Sequence, residues 1–205
     1  CAPSCCHGPC PMQWGCRRWA DCSSPARPKT TSGCSSSARR PARAAAAWGG
    51  KLPEGVFLND VLPYANANEA REPWRPSLRE KCLPLVKDCK SPGEAAHELN
   101  RKIFKLLGVR YSTKRNRADQ APAETIETGL ASCTGLSILL VDACRSVGVP
   151  ARLAGTASWV NKSGNHTWVE VWDDGWHYAG AAEPDSRGLA HGWFCLLYTS
   201  DAADE

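Results

Sequence analysis

Residues 129–152, GLASCTGLSILLVDACRSVGVPAR, decide the fold of this chain. Apolar residues recur in it at the spacing of one helix face, namely Leu136, Leu139, Leu140, Ala143 and Val147. The pattern predicts an apolar helix, and Gly148 followed by Pro150 is a typical C-terminal stop. Cys133 is therefore expected at or near the N-terminus of that helix.

Residues 166–178, HTWVEVWDDGWHY, show the alternation of a strand followed by a turn. One face carries His166, Trp168, Glu170 and Trp172, and the other carries Thr167, Val169 and Val171. Asp174 and Gly175 predict a tight hairpin, after which residues 176–178 return antiparallel. Residues 151–154 are expected to start a preceding strand.

The sequence before the Cys133 helix predicts further helices. Ser91-Pro92-Gly93-Glu94 has the capping-box pattern with proline at the first helical position, followed by helically spaced apolar residues to Leu107. Residues 69–90 predict one or two short helices, interrupted by Pro73, Pro76 and Pro84, and residues 112–125 predict a polar loop. The fold class is therefore α+β, with N-terminal helices and the Cys133 helix packed on an antiparallel sheet.

The net charge of +4 over 205 residues is unevenly distributed. Residues 1–50 contain seven Lys and Arg against one acidic residue, and residues 195–205 contain three acidic residues and no base. The charge is too small to indicate nucleic-acid binding by itself. No apolar run approaches the ~20 residues of a membrane span. We therefore expect neither a nucleic-acid partner nor a membrane span in the visible chain.

Residues 1–50 contain no Leu, Ile, Val, Phe or Tyr, so they lack the apolar side chains that offset ordering entropy. We expect a disordered or non-native low-complexity segment. The alternative is a zinc or disulfide module, because seven cysteines lie here: Cys1, Cys5, Cys6, Cys10, Cys16, Cys22 and Cys34. Their odd number and the lack of a C-x-x-C pair weaken that alternative.

Residues 51–194 have the composition of a globular protein and are nearly neutral. We expect one domain here, with a helical lead-in at 51–115 and a core at 116–194. Residues 195–205 resemble the translation of a sequencing-library adapter, so we expect a non-native tail and a C-terminally truncated domain.

Cys133 and His166 form the candidate catalytic pair. A helix N-terminus favours the thiolate, which is the nucleophilic form of cysteine. A histidine on a neighbouring strand can pair with the thiolate and later protonate a leaving amine. Glu183 and Asp185 are candidates for the group that orients the imidazole.

Non-catalytic interpretations remain open for both residues. A cysteine on an apolar helix is often a small buried hydrophobic residue, which is how we interpret Cys82 and Cys144. A histidine beside aromatic residues is often structural or exposed. The basic cluster of residues 114–117, KRNR, predicts a solvated loop.

Several spaced motifs resemble the transglutaminase-like superfamily. They are GLASC at 129–133, DACRSVGVPAR at 142–152, NHTWVEVW at 165–172 and, upstream, VLPYANANEAREPWR at 61–75, which is similar to bacterial members. The resemblance covers residues 54–194. It implies a papain-like core, Cys133 as the nucleophile and His166 as the general base and acid.

In the family pattern the third catalytic residue is an acid four positions after the strand tryptophan, which here is Gly180. The nearest fit is Glu183, with Asp185 as the alternative. Trp159 and Trp168 are expected to line the acyl site and bind substrate.

The resemblance implies cysteine-dependent acyl transfer on peptide or glutamine amides through a thioester, as a protease, an amidase or a transglutaminase. The expected partner is a protein or peptide substrate, and no metal or cofactor is required. The alternative is a non-catalytic member that binds peptide or cell-wall material. The sequence leaves the cellular compartment open.

Overall fold

The computed structural model describes residues 48–159 and 163–194. The helices are α1 (Glu54–Asp60), α2 (Trp74–Val86), α3 (Pro92–Leu107), α4 (Pro122–Thr128) and α5 (Cys133–Ser146). The strands are β1 (Arg110–Tyr111), β2 (Leu130–Ala131), β3 (Ala151–Thr156), β4 (His166–Trp172) and β5 (Trp176–Ala179). Helices therefore precede an antiparallel sheet, and the α+β class predicted from the sequence is confirmed.

Helix α5 lies at the centre of the described fold and packs against α2, α3, α4 and the sheet. The Ser132 side chain caps its N-terminus by accepting a hydrogen bond from the Gly135 N–H at 3.0 Å. Gly148 follows the helix with a positive φ of 83°, a conformation that suits glycine. The helix predicted from residues 129–152 is confirmed, with Cys133 as its first residue.

The main sheet has the order β3-β4-β5 with antiparallel pairing throughout. Thr156 pairs with His166 at one end of β4, and Trp172 pairs with Trp176 at the hairpin. Val169 and Val171 are buried, so the face opposite His166 packs on the core as the alternation predicted. A separate parallel pair joins β1 to β2 directly before Cys133.

Helix α3 begins where the capping-box pattern predicted. The Ser91 hydroxyl accepts from the Glu94 N–H at 3.2 Å, and the Glu94 carboxylate accepts from the Lys90 N–H at 2.7 Å. The Ser91 hydroxyl also donates to the Asp173 carboxylate at 2.7 Å, which ties α3 to the β4–β5 hairpin.

Two local predictions were wrong in part. One helix, residues 74–86, lies in the range where one or two were predicted, and it begins after Pro73, but Pro76 and Pro84 lie inside it and do not interrupt it. Pro76 lies in the first turn, where backbone N–H groups have no intrahelical acceptor, and Pro84 lies in the last turn, so little of the hydrogen-bond ladder is lost. The predicted loop at 112–125 also ends early, because α4 begins at Pro122.

Trp48, which precedes the predicted domain start at residue 51, contacts the described fold. Trp48 is 5% exposed, and its indole N–H donates to the Gly148 carbonyl at 3.1 Å. The cysteine-rich stretch that suggested a zinc or disulfide module and the tail at 195–205 lie outside the described residues. None of the helices within 48–159 and 163–194 is long and apolar enough to cross a membrane.

Candidate active site

The Cys133 thiol lies at the N-terminal end of α5, opposite the first residues of β4. Cys133 is only partly buried. Backbone hydrogen bonds from Thr134 and Thr167 reach its sulfur, one from the helix and one from the strand. Helix and strand therefore meet at this side chain.

This environment lowers the pKa of Cys133 to about 7. The largest cause is a hydrogen bond with the His166 side chain, and the two backbone hydrogen bonds act in the same direction against the opposing effect of burial. Burial instead raises the pKa of Cys82 to about 11 and also raises the pKa values of Cys89 and Cys144. Cys133 alone among the four cysteines in the described ranges has the acidity of a nucleophile near neutral pH.

His166 is the first residue of β4 and is surrounded by aromatic rings. Its ring centroid lies 4.8 Å from Trp193, 5.2 Å from Phe194, 6.1 Å from Trp168 and 6.4 Å from Trp159. Phe194 is 2% exposed and stacks on Trp168 at 4.9 Å. These rings fix the orientation of the imidazole by packing.

The structure does not bring either predicted acid to His166. The imidazole Nε2 is buried and has no hydrogen-bond partner in the described part of the chain. The Glu183 carboxylate instead accepts from the indole N–H of Trp193 at 2.9 Å, and Asp185 forms an ion pair with Arg187 at 2.9 Å. Glu183 therefore contacts a ring that packs on His166, and not His166 itself.

Two threonines join the elements that carry the candidate catalytic pair. The Thr134 and Thr167 hydroxyls lie 3.0 Å apart, and the Ser137 hydroxyl donates to the Thr167 carbonyl at 3.2 Å. These bonds set the distance between α5 and β4 where Cys133 faces His166. Neither threonine was predicted from the sequence, although each directly follows a predicted catalytic residue.

Two cavities meet at Cys133. The larger has a volume of about 710 Å³ and the smaller about 440 Å³. Both are lined by Arg115, Ser132, Cys133, Asn165 and His166. A substrate that crosses Cys133 can therefore occupy space on both sides of the thiol.

The aromatic residues predicted to bind substrate lie beside the imidazole. Trp159 and Trp168 pack near His166, and neither lines either cavity. Trp193 lines the larger cavity and is 46% exposed. Trp193 was not predicted from the sequence, because its segment has neither a periodic pattern nor a motif.

Within the described ranges, no group of three or more His, Cys, Asp or Glu side chains is arranged to hold a metal ion.

The family model of the transglutaminase-like superfamily matches residues 80–181 of this chain. Residues 80–181 of this chain form a transglutaminase-like domain. This confirms the family expected from the sequence motifs, and both Cys133 and His166 lie inside the matched range. No curated protein matches the sequence.

Two solved structures are similar to the chain that carries this transglutaminase-like domain. One is a candidate cysteine protease from Cytophaga hutchinsonii, with a TM-score of 0.49 and 18% identity over 68% of this chain and 46% of that one. The other is the periplasmic domain of TgpA from Pseudomonas aeruginosa bound to ethylmercury, with a TM-score of 0.44 and 15% identity over 66% and 51%. The chain spans about half the length of each.

Proposed function

We propose that the transglutaminase-like domain performs cysteine-dependent acyl transfer on peptide or glutamine amides. The observation that carries this proposal is the Cys133 thiol at the N-terminus of α5, with a pKa lowered to about 7 by its hydrogen bond with His166. About half of the thiol is then ionised at pH 7. A nucleophile of this kind attacks an amide carbonyl at neutral pH.

In the first half-reaction, the Cys133 thiolate forms a bond to the carbonyl carbon and His166 gives a proton to the departing nitrogen. The C–N bond breaks, the amine leaves and a thioester remains on Cys133. The Cys133 backbone N–H, in the first turn of α5, has no intrahelical acceptor and can donate to the oxyanion.

In the second half-reaction, the thioester passes its acyl group to water or to an amine. His166 takes a proton from the attacking group, the C–S bond breaks and Cys133 returns as the thiolate. We favour water, because Cys133 is only partly buried where two cavities meet. The product of hydrolysis is a carboxylate.

A non-catalytic peptide- or cell-wall-binding module is the second candidate. The observation that favours it is His166 Nε2, which has no partner among residues 48–159 and 163–194. In a cysteine–histidine enzyme a third group commonly orients the imidazole.

The first test is the pH dependence of iodoacetamide alkylation at each cysteine of the full chain, read by peptide mass spectrometry. We expect the Cys133 rate to rise with pH through a midpoint near 7, because ionisation creates the reactive thiolate. In His166→Ala the midpoint should move up toward the ~8.5 of a free thiol. Cys82 is an internal control that should stay unreactive at pH 7.

The second test separates catalysis from binding. A mixture of tryptic peptides is incubated with the wild type and with Cys133→Ser, and new termini, deamidated glutamines and transamidated products are counted. Products that form with the wild type and not with Cys133→Ser support the enzymatic function. A midpoint near 8.5 in the wild type, together with no Cys133-dependent product, would overturn the proposal and favour the binding module.

A further inference from the structure

The larger of the two cavities at Cys133 carries an excess of positive charge. Its lining includes Lys105, Arg110 and Arg115, against the single carboxylate of Glu183. That carboxylate already accepts the indole N–H of Trp193. The smaller cavity is balanced, since Arg115 is its only Lys or Arg and Asp119 its only acidic residue.

The three cations have no ion-pair partner in the described part of the chain. Other arginines are paired: Arg117, two residues from Arg115, contacts Glu124 at 2.9 Å, and Arg152 on β3 contacts Glu170 at 2.7 Å. The Arg115 guanidinium has one hydrogen bond, to the Thr113 carbonyl at 3.1 Å. Its remaining N–H donors are available to a ligand.

Arg115 also differs in burial from the other residues of the basic cluster at 114–117, which predicted a solvated loop. Lys114, Asn116 and Arg117 are exposed, whereas Arg115 is partly buried and borders both cavities beside Cys133. A guanidinium in a concave site is weakly screened, and its planar donors match a carboxylate. The position therefore combines charge, free donors and proximity to the thiol.

We propose that the larger cavity recognises an acidic side chain, Asp or Glu, in the peptide whose amide Cys133 attacks. Arg115 is the specificity-determining residue, and Lys105 and Arg110 add to the positive field. This inference rests on the proposed function for the choice of a peptide, whereas anion recognition beside Cys133 is testable without catalysis.

The catalysis-independent test compares two alkylating agents at Cys133, anionic iodoacetate and neutral iodoacetamide. The ratio of their rates cancels any change in thiolate fraction. Arg115→Gln should lower the iodoacetate-to-iodoacetamide ratio on the order of threefold, the effect of one nearby charge in partly screened surroundings. The ratio should also fall as salt is added.

Two variants control this comparison. Lys114→Gln removes the same charge from an exposed neighbour that lines neither cavity, and should leave the ratio unchanged. Arg115→Lys keeps the charge and should retain most of the ratio. Circular dichroism checks that each variant is folded. The anion site would be overturned if the iodoacetate-to-iodoacetamide ratio were the same in the wild type and in a folded Arg115→Gln variant. It would also be overturned if Lys114→Gln lowered this ratio as much as Arg115→Gln does.

The substrate is tested with the tryptic peptide mixture. Peptides modified in a Cys133-dependent way should be enriched in Asp or Glu near the reacting amide, and Arg115→Gln should abolish the enrichment while Lys114→Gln keeps it. Products without acidic enrichment would overturn this inference and leave the proposed function standing. If no Cys133-dependent product forms, the peptide-substrate part of this inference is overturned, and the alkylation ratio still decides whether an anion binds beside Cys133.

Discussion

At the residue scale, His166 combines close aromatic packing with an unused nitrogen. Four rings surround the imidazole, while Nε2 lacks a hydrogen-bond partner within the described ranges. Trp193 is the nearest ring, and its indole N–H is held by Glu183. The sequence predicted that Glu183, or alternatively Asp185, orients His166 directly. In the structure Glu183 instead contacts Trp193, and Trp193 packs on His166.

Variants of Trp193 test whether ring packing orients the imidazole. Trp193→Phe keeps a ring against His166 and loses the bond to Glu183, so the alkylation midpoint of Cys133 should stay near 7. Trp193→Ala removes the ring, frees the imidazole to turn away, and should raise the midpoint by about one unit, because the His166 hydrogen bond is the largest cause of the lowered pKa. A Phe variant as impaired as the Ala variant would show that the bond to Glu183 is what matters.

At the scale of the elements, β3 and β4 approach so closely at the site that only glycine fits. A Cβ at Gly155 would lie 2.6 Å from the His166 carbonyl oxygen, a backbone atom that cannot swing aside. Gly155 also pairs with Thr167 in the antiparallel register. The glycine thus lets β4 hold His166 at its present distance from α5.

Gly155→Ala should therefore separate the two strands at His166 and weaken its contact with Cys133. We expect the alkylation midpoint of Cys133 to move from near 7 toward ~8.5. Gly55→Ala in α1 is the matched control, since no atom lies within 4 Å of its added methyl group. A wild-type midpoint in Gly155→Ala would mean that the strands are not held this closely in solution.

Elements with local signals were predictable from the sequence. The starts of α3 and α5 are marked by Ser91 and Ser132 as N-caps, and the hairpin by Asp174 with its positive φ. Helix α2 was predicted as broken because Pro84 is a helix breaker by propensity. Burial of Trp74, Leu78, Cys82 and Val86 on one side of the helix outweighs that single missing hydrogen bond.

The candidate site was predictable only in part, for a physical reason. Cys133 and His166 occupy positions with local motifs, so their elements could be placed. The two rings nearest to the imidazole belong to Trp193 and Phe194, which reach the site through tertiary packing and carry no local sequence pattern. The position of Arg115 was not predictable either. In the sequence it is one of four polar residues at 114–117, and only the fold places it beside the cavities.

At the scale of the whole molecule, the helical lead-in supports the end of α5 opposite Cys133. Arg75 and Arg79 donate to the Arg145 and Ser146 carbonyls at 2.7 and 2.9 Å. These carbonyls belong to the last turn of α5, where the regular helical ladder supplies no donor. The Arg145 carbonyl also accepts from the Gly148 N–H at 3.2 Å. The lead-in thus fixes α5 from its C-terminal end, although it contributes no candidate catalytic residue.

Trp48 extends this support to the residues before the predicted domain boundary. Its indole N–H reaches Gly148, one hundred positions along the chain, at the C-terminal end of α5. Trp48→Ala should lower the free energy of unfolding by about 3–5 kcal/mol, the usual cost of removing a large buried side chain. Urea unfolding of the full chain, followed by circular dichroism, measures this change.

Trp19→Ala is the matched control, because Trp19 lies in the stretch whose composition predicts no packed core. We expect this variant to unfold at the wild-type urea concentration. Equal midpoints for the two variants and the wild type would place the start of the stable domain after residue 48, as the composition alone predicted. A selective loss in Trp48→Ala instead makes Trp48 part of the domain, since only a residue packed in its core can stabilise it by several kcal/mol.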